Sequence, residues 1–218
     1  MLGMFVLCAT ALLSNSMRSR PRQMPPPPKT FIGTIGMATS LSSTSPTSPR
    51  RNIELKARCP DLAAASRAAR AIGARDAGLL VQTDSYFQVP RGRLKLRETD
   101  GKPAELIWYV RPNETSFRGS DYYVLPVPEP AATRAALSAA LGLRGVVAKR
   151  RELMLWHNVR IHLDQVDRLG SFIEFEAVVG GDDADEATSH QRLAELARAL
   201  HVRDEDRIAV SYSDLLGI

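Results

Sequence analysis

Asn52-Ile53-Glu54-Leu55-Lys56-Ala57-Arg58 alternates polar and apolar residues without a break. At period two, Asn52, Glu54, Lys56 and Arg58 share one face of a strand, and Ile53, Leu55 and Ala57 share the other. A carboxylate and an ammonium two residues apart then stand about 7 Å from each other on one face. Such a face is poor material for a dry core. It suits a site that holds a polyanion together with a cation.

The same alternation recurs downstream. Arg93, Lys95 and Arg97 fall in phase, as do Tyr109 with Arg111, Lys149 with Arg151, Arg160 with His162 and Asp164, and Glu174 with Glu176. Each set keeps apolar residues between its members. One such strand is ordinarily the solvated side of a half-buried sheet. Five or six of them are better explained together, by a closed antiparallel barrel with charges pointing in and apolar residues packed beneath helices. Charges of one sign in a low-dielectric cavity are costly without a ligand of opposite sign. A mainly cationic interior with an acidic cluster therefore calls for a polyphosphate and a divalent metal.

The chain order supports an α+β fold. Asp61 caps a helix from Leu62 to Ile72 that Gly73 stops. Strands are predicted over 78–89, 93–97, 104–111, 118–127, 145–156, 159–166 and 171–179, besides the one at 52–58. Asp100-Gly101 marks a hairpin turn. Further helices are predicted over 129–143 and 187–201, with a short one at 211–216, and Gly180 to Asp183 reads as a break. Hairpin-linked strands are antiparallel, and helices inserted among them give α+β, not a doubly wound sheet. The expected architecture is an eight-stranded antiparallel β-barrel, a tunnel, with helices packed outside.

The first 50 residues read differently. Residues 1–53 hold Arg18, Arg20, Arg22, Lys29, Arg50 and Arg51 and no Asp or Glu, so 23 of the 29 basic residues face all 24 acidic ones in the remainder. The net charge of +5 thus belongs to the leader. A duplex-binding domain should carry its basic excess in the fold, so no nucleic-acid partner is expected. Met1 to Leu13 is apolar but roughly half the length of a bilayer span, and no membrane partner is expected. Arg-rich, Ser-rich and acid-poor composition fits an organelle transit peptide; a featureless tail fits equally well. Residues 1–50 are set apart from a domain at 51–218. Cys8 and Cys59 give no disulfide framework, which fits a reducing compartment. The expected location is the cytoplasm, or a mitochondrion or plastid if the leader is a transit peptide.

In their order, these pieces resemble the CYTH family, the triphosphate tunnel metalloenzymes, which includes class IV adenylate cyclases, thiamine triphosphatases and inorganic tripolyphosphatases. The family signature Glu-x-Glu-x-Lys corresponds to Asn52-x-Glu54-x-Lys56. The other matching pieces are Gln82 to Phe87, Gly92 to Arg97, Tyr109-Val110-Arg111, Lys149-Arg150-Arg151, His162-Leu163-Asp164 and Phe172 to Glu176. Each piece alone is unspecific; the ordered set is strong. Residues 51–58 and 160–176 are most similar to the class IV cyclase branch.

The resemblance implies roles. Glu54, Asp164, Glu174 and Glu176 would hold one or two Mg²⁺ or Mn²⁺ ions, since hard cations take carboxylate oxygens. Lys56, Lys95, Arg97, Arg111, Lys149 and Arg151 would grip a triphosphate, with Tyr109 beside them and Arg93, Arg118 and Arg160 as rim candidates. Lys56, Arg97 and Arg151 are the expected catalytic residues. The expected activity is cleavage of a phosphoanhydride bond in a small-molecule triphosphate, as a triphosphatase or as an adenylate cyclase. A homodimer stays open. One departure stands out: Asn52 replaces the first signature glutamate and brings no charge. That leaves a second class of reading, a polyphosphate- or nucleotide-binding module without turnover. A third is an α+β domain whose charges face water. Among other residues, His162 reads as a base or nucleotide contact or, more in keeping with its isolation, as a structural histidine, Asp84 and Tyr86 as lining or plain strand polarity, and Trp108 and Trp156 as packing under helices.

Overall fold

The computed structural model describes residues 48–180 and 184–218. Its strands are β1 (Arg50–Arg58), β2 (Arg75–Phe87), β3 (Arg93–Thr99), β4 (Ala104–Val110), β5 (Arg118–Val127), β6 (Leu143–Trp156), β7 (Val159–Val166) and β8 (Gly170–Val179). Its helices are α1 (Leu62–Ala71), α2 (Pro130–Leu141), α3 (Glu186–Ala199) and α4 (Tyr212–Leu215), with a 3₁₀ turn at Asp204–Asp206. Most of the leader assigned to 1–50 lies outside the described residues, as do Gly181, Asp182 and Asp183 of the proposed break. β1 begins at Arg50, one residue inside the stretch assigned to the leader.

The strands close into an antiparallel barrel in the order β1-β5-β4-β3-β2-β6-β7-β8. Hairpins make five of these junctions. The others join distant strands: β1 pairs with β5 and β8, and β2 pairs with β6. Closure removes the open edges that would otherwise attract other chains. β2 starts earlier than the predicted residue 78, because a register irregularity between Asp76 and Leu79 lets it continue along β6. The irregularity is held by the Gly78 amide, which donates to Asp76 Oδ1 at 2.8 Å.

Period-two alternation divides every strand between the lumen and the outer wall. The outward residues Ile53, Leu55, Ala57, Ile161, Leu163, Ile173 and Phe175 are buried under α1 and α3, which contribute Ala65, Ala69, Leu193 and Leu196. Fully burying an aliphatic or aromatic side chain of this size contributes about 1.5–3 kcal/mol. α1 begins where the Asp61 carboxylate accepts from the Ala64 amide at 2.8 Å, as the sequence predicts. α2 covers a second outer patch of Phe87, Leu96, Ala104 and Val127. Trp156 packs beneath α1, and its Nε1 donates to the Ile72 carbonyl at 3.0 Å. Trp108 corrects the expectation of packing under a helix: it leans on Tyr123 at 6.0 Å between ring centroids and donates to the Arg91 carbonyl.

One end of the lumen is apolar. Tyr86, Val147, Val166 and Phe172 point inward there and pack against Ile208 and Tyr212 of the C-terminal segment. The segment is tied to the barrel by the Arg118 and Arg111 guanidinium groups, which donate to the carbonyls of Ile208 and Ala209 at 3.0 and 3.3 Å. Among the described residues, no helix is long and apolar enough to cross a membrane.

Candidate active site

The polar faces of the strands meet in a lumen with a cavity of about 210 Å³. Its lining includes Arg50, Lys56, Lys95, Arg97, Arg111, Lys149, Arg151 and Arg160 against Glu54, Asp84, Glu105, Glu174 and Glu176. Cations outnumber carboxylates, so the cavity is short of negative charge, and an anionic ligand would supply it.

The register explains how the charges sort. Across β5, β1, β8 and β7 one row runs Arg118, Glu54, Glu176, Arg160. The next runs Lys56, Glu174, His162. Directly opposed side chains on neighbouring strands interact most strongly. Lys56 Nζ accordingly reaches Glu174 Oε1 at 3.2 Å and lies 3.5 Å from the centre of the Tyr212 ring. Glu54 Oε1 is held by Arg111 Nε at 3.1 Å and Arg118 Nε at 3.2 Å. Glu54 and Glu176 are like charges set opposite each other, an arrangement that costs stability unless a cation lies between or beside them.

On the far wall Asp84 gathers the cations. Arg97 donates to it from Nε at 2.7 Å and Nη2 at 2.8 Å, Lys149 Nζ at 2.8 Å and Lys95 Nζ at 3.2 Å. Burial alone would raise the Asp84 pKa, but Arg97, Lys149 and Lys95 hold it well below the usual carboxylate range. Burial pushes Lys149 down to about 7 and Lys95 to about 8, and neighbouring arginines add to the effect. Three cations thus converge on one carboxylate, which leaves them under-neutralised.

The acidic wall has its own electrostatics. Burial and its carboxylate neighbours Glu174 and Glu176 push Glu54 upward, against Arg111 and Arg118. Glu174 is buried too, yet Lys56, His162 and Arg151 hold it well below its ordinary range. Burial lowers His162, and Arg151 lowers it further.

A divalent ion fits this wall. His162, Glu174 and Glu176 each offer a ligand atom, all within 4.8 Å of one another. His162 Nδ1 is buried and has no hydrogen-bond partner among the described residues; it stands 3.8 Å from Glu174 Oε2. An orphaned imidazole nitrogen beside two carboxylates is a donor set for a metal. Glu54 lies on the next strand, opposite Glu176.

The predicted residues therefore fall into groups. Lys56, Lys95, Arg97, Tyr109, Arg111, Lys149, Arg151, Arg160, Glu54, Glu174 and Glu176 line the cavity. Arg93 does not; it sits at a separate recess with Arg144 and pairs with Asp214 at 2.7 Å. Arg118 lies behind the lining, where it braces Glu54 and also donates to the Glu114 carbonyl. Asp164, expected as a metal ligand, is fully buried, and its oxygens accept from Arg151 Nε and Nη2 at 2.6 Å each and from Tyr212 Oη at 2.8 Å. It anchors Arg151 and has no place on the cavity wall. The sequence favours a structural role for His162 over a base or nucleotide contact and leaves Asp84 undecided; the structure sets Asp84 on the lining and His162 off it, beside Glu174 and Glu176. Sequence reasoning missed Tyr212 and Ser211 as lining, and nothing in their local pattern signals it. Ser120 and Tyr122 also line the wall; their phase with Arg118 was the available signal.

Comparison with known proteins agrees with this fold. A family model described as the CYTH domain matches residues 50–212. A structure from Pyrococcus horikoshii is 23% identical and covers 75% of this chain and 98% of its own, with a TM-score of 0.65. A candidate adenylate cyclase from Vibrio parahaemolyticus is 22% identical, with coverage of 77% and 98% and a TM-score of 0.62. A candidate adenylyl cyclase from Hippeastrum, described as having a dominant triphosphatase activity, is 12% identical, with coverage of 77% and 93% and a TM-score of 0.51. At these identities the likeness concerns the fold. No curated protein matches the sequence.

Proposed function

Since the chain belongs to the CYTH family, we propose that it is a divalent-metal-dependent enzyme that draws the triphosphate group of a small molecule into the barrel and cleaves a phosphoanhydride bond. The observation that carries this reading is the division of the lumen into two walls. Lys95, Arg97 and Lys149 crowd one carboxylate on one side, and Glu174 and Glu176 face the ligand space on the other, backed by the orphaned His162 nitrogen.

Glu174 and Glu176, with Glu54 and His162, would hold Mg²⁺ or Mn²⁺, which supplies positive charge to phosphate oxygens when bound. The chain's own residues supply the rest. Arg97 and Arg151 present planar forks whose second faces are fixed by Asp84 and Asp164, so they meet phosphate oxygens already oriented. Lys56, with its ammonium between Glu174 and the Tyr212 ring, is a point charge in a dry setting. Phosphoryl transfer needs little covalent help from the protein, so positioning and charge stabilisation are the main tasks. Water in line with the terminal phosphorus gives hydrolysis. A ribose 3′-hydroxyl in line with the α-phosphorus gives cyclic AMP and pyrophosphate; Ile107, Val124 and Tyr122 on the wall offer a nucleoside some apolar surface.

The test is product identification with the purified protein, Mn²⁺ or Mg²⁺, and tripolyphosphate, ATP or thiamine triphosphate offered separately. Orthophosphate release is the expected outcome and makes the protein a triphosphatase. Cyclic AMP with pyrophosphate makes it a cyclase. Metal-dependent binding without product favours the non-catalytic module that Asn52 motivates, and absence of both product and binding refutes the proposal.

A further inference from the structure

We infer that Asn52 and Arg160 together take the place of a second divalent ion, so that the site works with one metal and one fixed guanidinium. The inference rests on the metal-dependent reading above and specifies how many ions that site holds.

Asn52 lies on the lumen face of β1, two residues from Glu54, and is 5% exposed. With its carboxamide turned to satisfy both ends, Nδ2 donates to the Arg51 carbonyl at 3.1 Å and Oδ1 accepts from Arg160 Nη2 at 3.2 Å. The same Nη2 lies 3.3 Å from Glu176 Oε2. The guanidinium therefore occupies the space between positions 52 and 176. Those are the positions from which two carboxylates could have enclosed an ion. A divalent cation there would stand against a guanidinium already bonded to both flanking oxygens, and like charges exclude each other at that range. A neutral amide at 52 also withholds the charge a second ion needs, since hard cations are selected by carboxylate number.

The guanidinium has capacity left. Arg160 lines the cavity, and its Nε is buried with no hydrogen-bond partner among the described residues. A buried N–H is costly to leave unpaired. A phosphate oxygen arriving in the cavity would satisfy it and receive a charge that cannot dissociate, as a metal ion can. Part of the triphosphate affinity should then survive removal of all metal.

The experiment counts Mn²⁺ bound per full-length chain, from the electron paramagnetic resonance signal of free Mn²⁺, and measures tripolyphosphate affinity by calorimetry with and without chelator. Wild type should bind one Mn²⁺ and should retain tripolyphosphate binding in chelator. Arg160→Gln should still bind one Mn²⁺ but lose at least about tenfold in chelator-condition affinity. Asn52→Glu combined with Arg160→Gln should bind two Mn²⁺. Two Mn²⁺ on the wild type, or unchanged chelator-condition affinity in Arg160→Gln, overturns the inference and leaves the triphosphate reading standing. If wild type binds neither Mn²⁺ nor tripolyphosphate, both fall. Should the double variant not fold, the wild-type count and the Arg160→Gln affinity decide alone.

Discussion

Replacing Asp84 by Asn should yield a barrel that is fragile when empty and recovers when tripolyphosphate is added. Asp84 is 1% exposed and accepts from Lys95, Lys149 and both nitrogens of the Arg97 fork. Asn keeps the shape and removes the charge. Lys149 and Lys95, already lowered to about 7 and about 8, can escape by losing their protons. Arg97 cannot, because a guanidinium stays charged in proteins. Removing one partner of a buried ion pair costs about 3–5 kcal/mol, and the two lysines' escape favours the lower end. At about 2–4 °C per kcal/mol for a domain of this size, about 3 kcal/mol becomes a fall of roughly 6–12 °C in Tm. A ligand at about 100 times its Kd returns about 2.7 kcal/mol. Tripolyphosphate also brings its charge to the place that lost one, so its stabilising shift should be larger in Asp84→Asn than in wild type. Thermal unfolding followed by circular dichroism, with and without tripolyphosphate, reads both quantities. An empty variant that melts with the wild type, or a ligand shift no larger than the wild-type shift, would refute the electrostatic account of this wall.

Three other outcomes follow from the same geometry. Lys149, near 7 when the cavity is empty, is charged below that pH and neutral above it, so tripolyphosphate affinity should fall from pH 6.5 to 9 and binding at pH 8 should take up protons; calorimetry in buffers of different ionisation enthalpy checks this, and heats independent of buffer would contradict it. For folding the sign is opposite: the unfolded chain binds more protons between about 7 and 10.4, so this group's contribution to stability improves as pH rises through that window. Tyr212→Phe removes the 2.8 Å bond to Asp164 while keeping the ring under Lys56; it should cost about 1–3 kcal/mol in urea unfolding, with no loss expected if the hydroxyl were idle. Gly92 has φ +72°, and a Cβ there would lie 2.6 Å from the Tyr109 carbonyl oxygen, so Gly92→Ala should destabilise by at least about 1–2 kcal/mol and disturb Tyr109; a wild-type melting curve would show that the β3 entry can relax.

Much of the site was legible because a strand's period is two. Once Glu54 and Lys56 are placed on one face, Asn52 must share it, and the same holds for Lys95 with Arg97 and for Glu174 with Glu176. Phase tells which side chains point inward; it is silent on which of them meet. Asp164 shows the limit. Its inward phase was read correctly, but a carboxylate's role depends on its neighbours, and Arg151 and Tyr212 take both its oxygens. For His162 the sequence favours a structural role, and only the fold shows that its Nδ1 lacks a hydrogen-bond partner among the described residues and stands beside two carboxylates.

The sequence by itself determined the eight strands, their inward and outward faces, the Asp61 cap and the excess of cations inside, because each is a property of local period or composition. The tertiary structure alone decided the pairings. Lys149 reaches Asp84 across 65 residues, Arg118 reaches the Ile208 carbonyl across 90, and Tyr212 reaches Asp164 across 48. These depend on the closing registers of β1 with β5 and β8 and of β2 with β6, and on a C-terminal segment entering one end of the barrel. Local period excludes a one-residue slip, which would turn every inward face outward, but it carries no information on a two-residue slip in a closing pair, which keeps every face while placing different charges side by side.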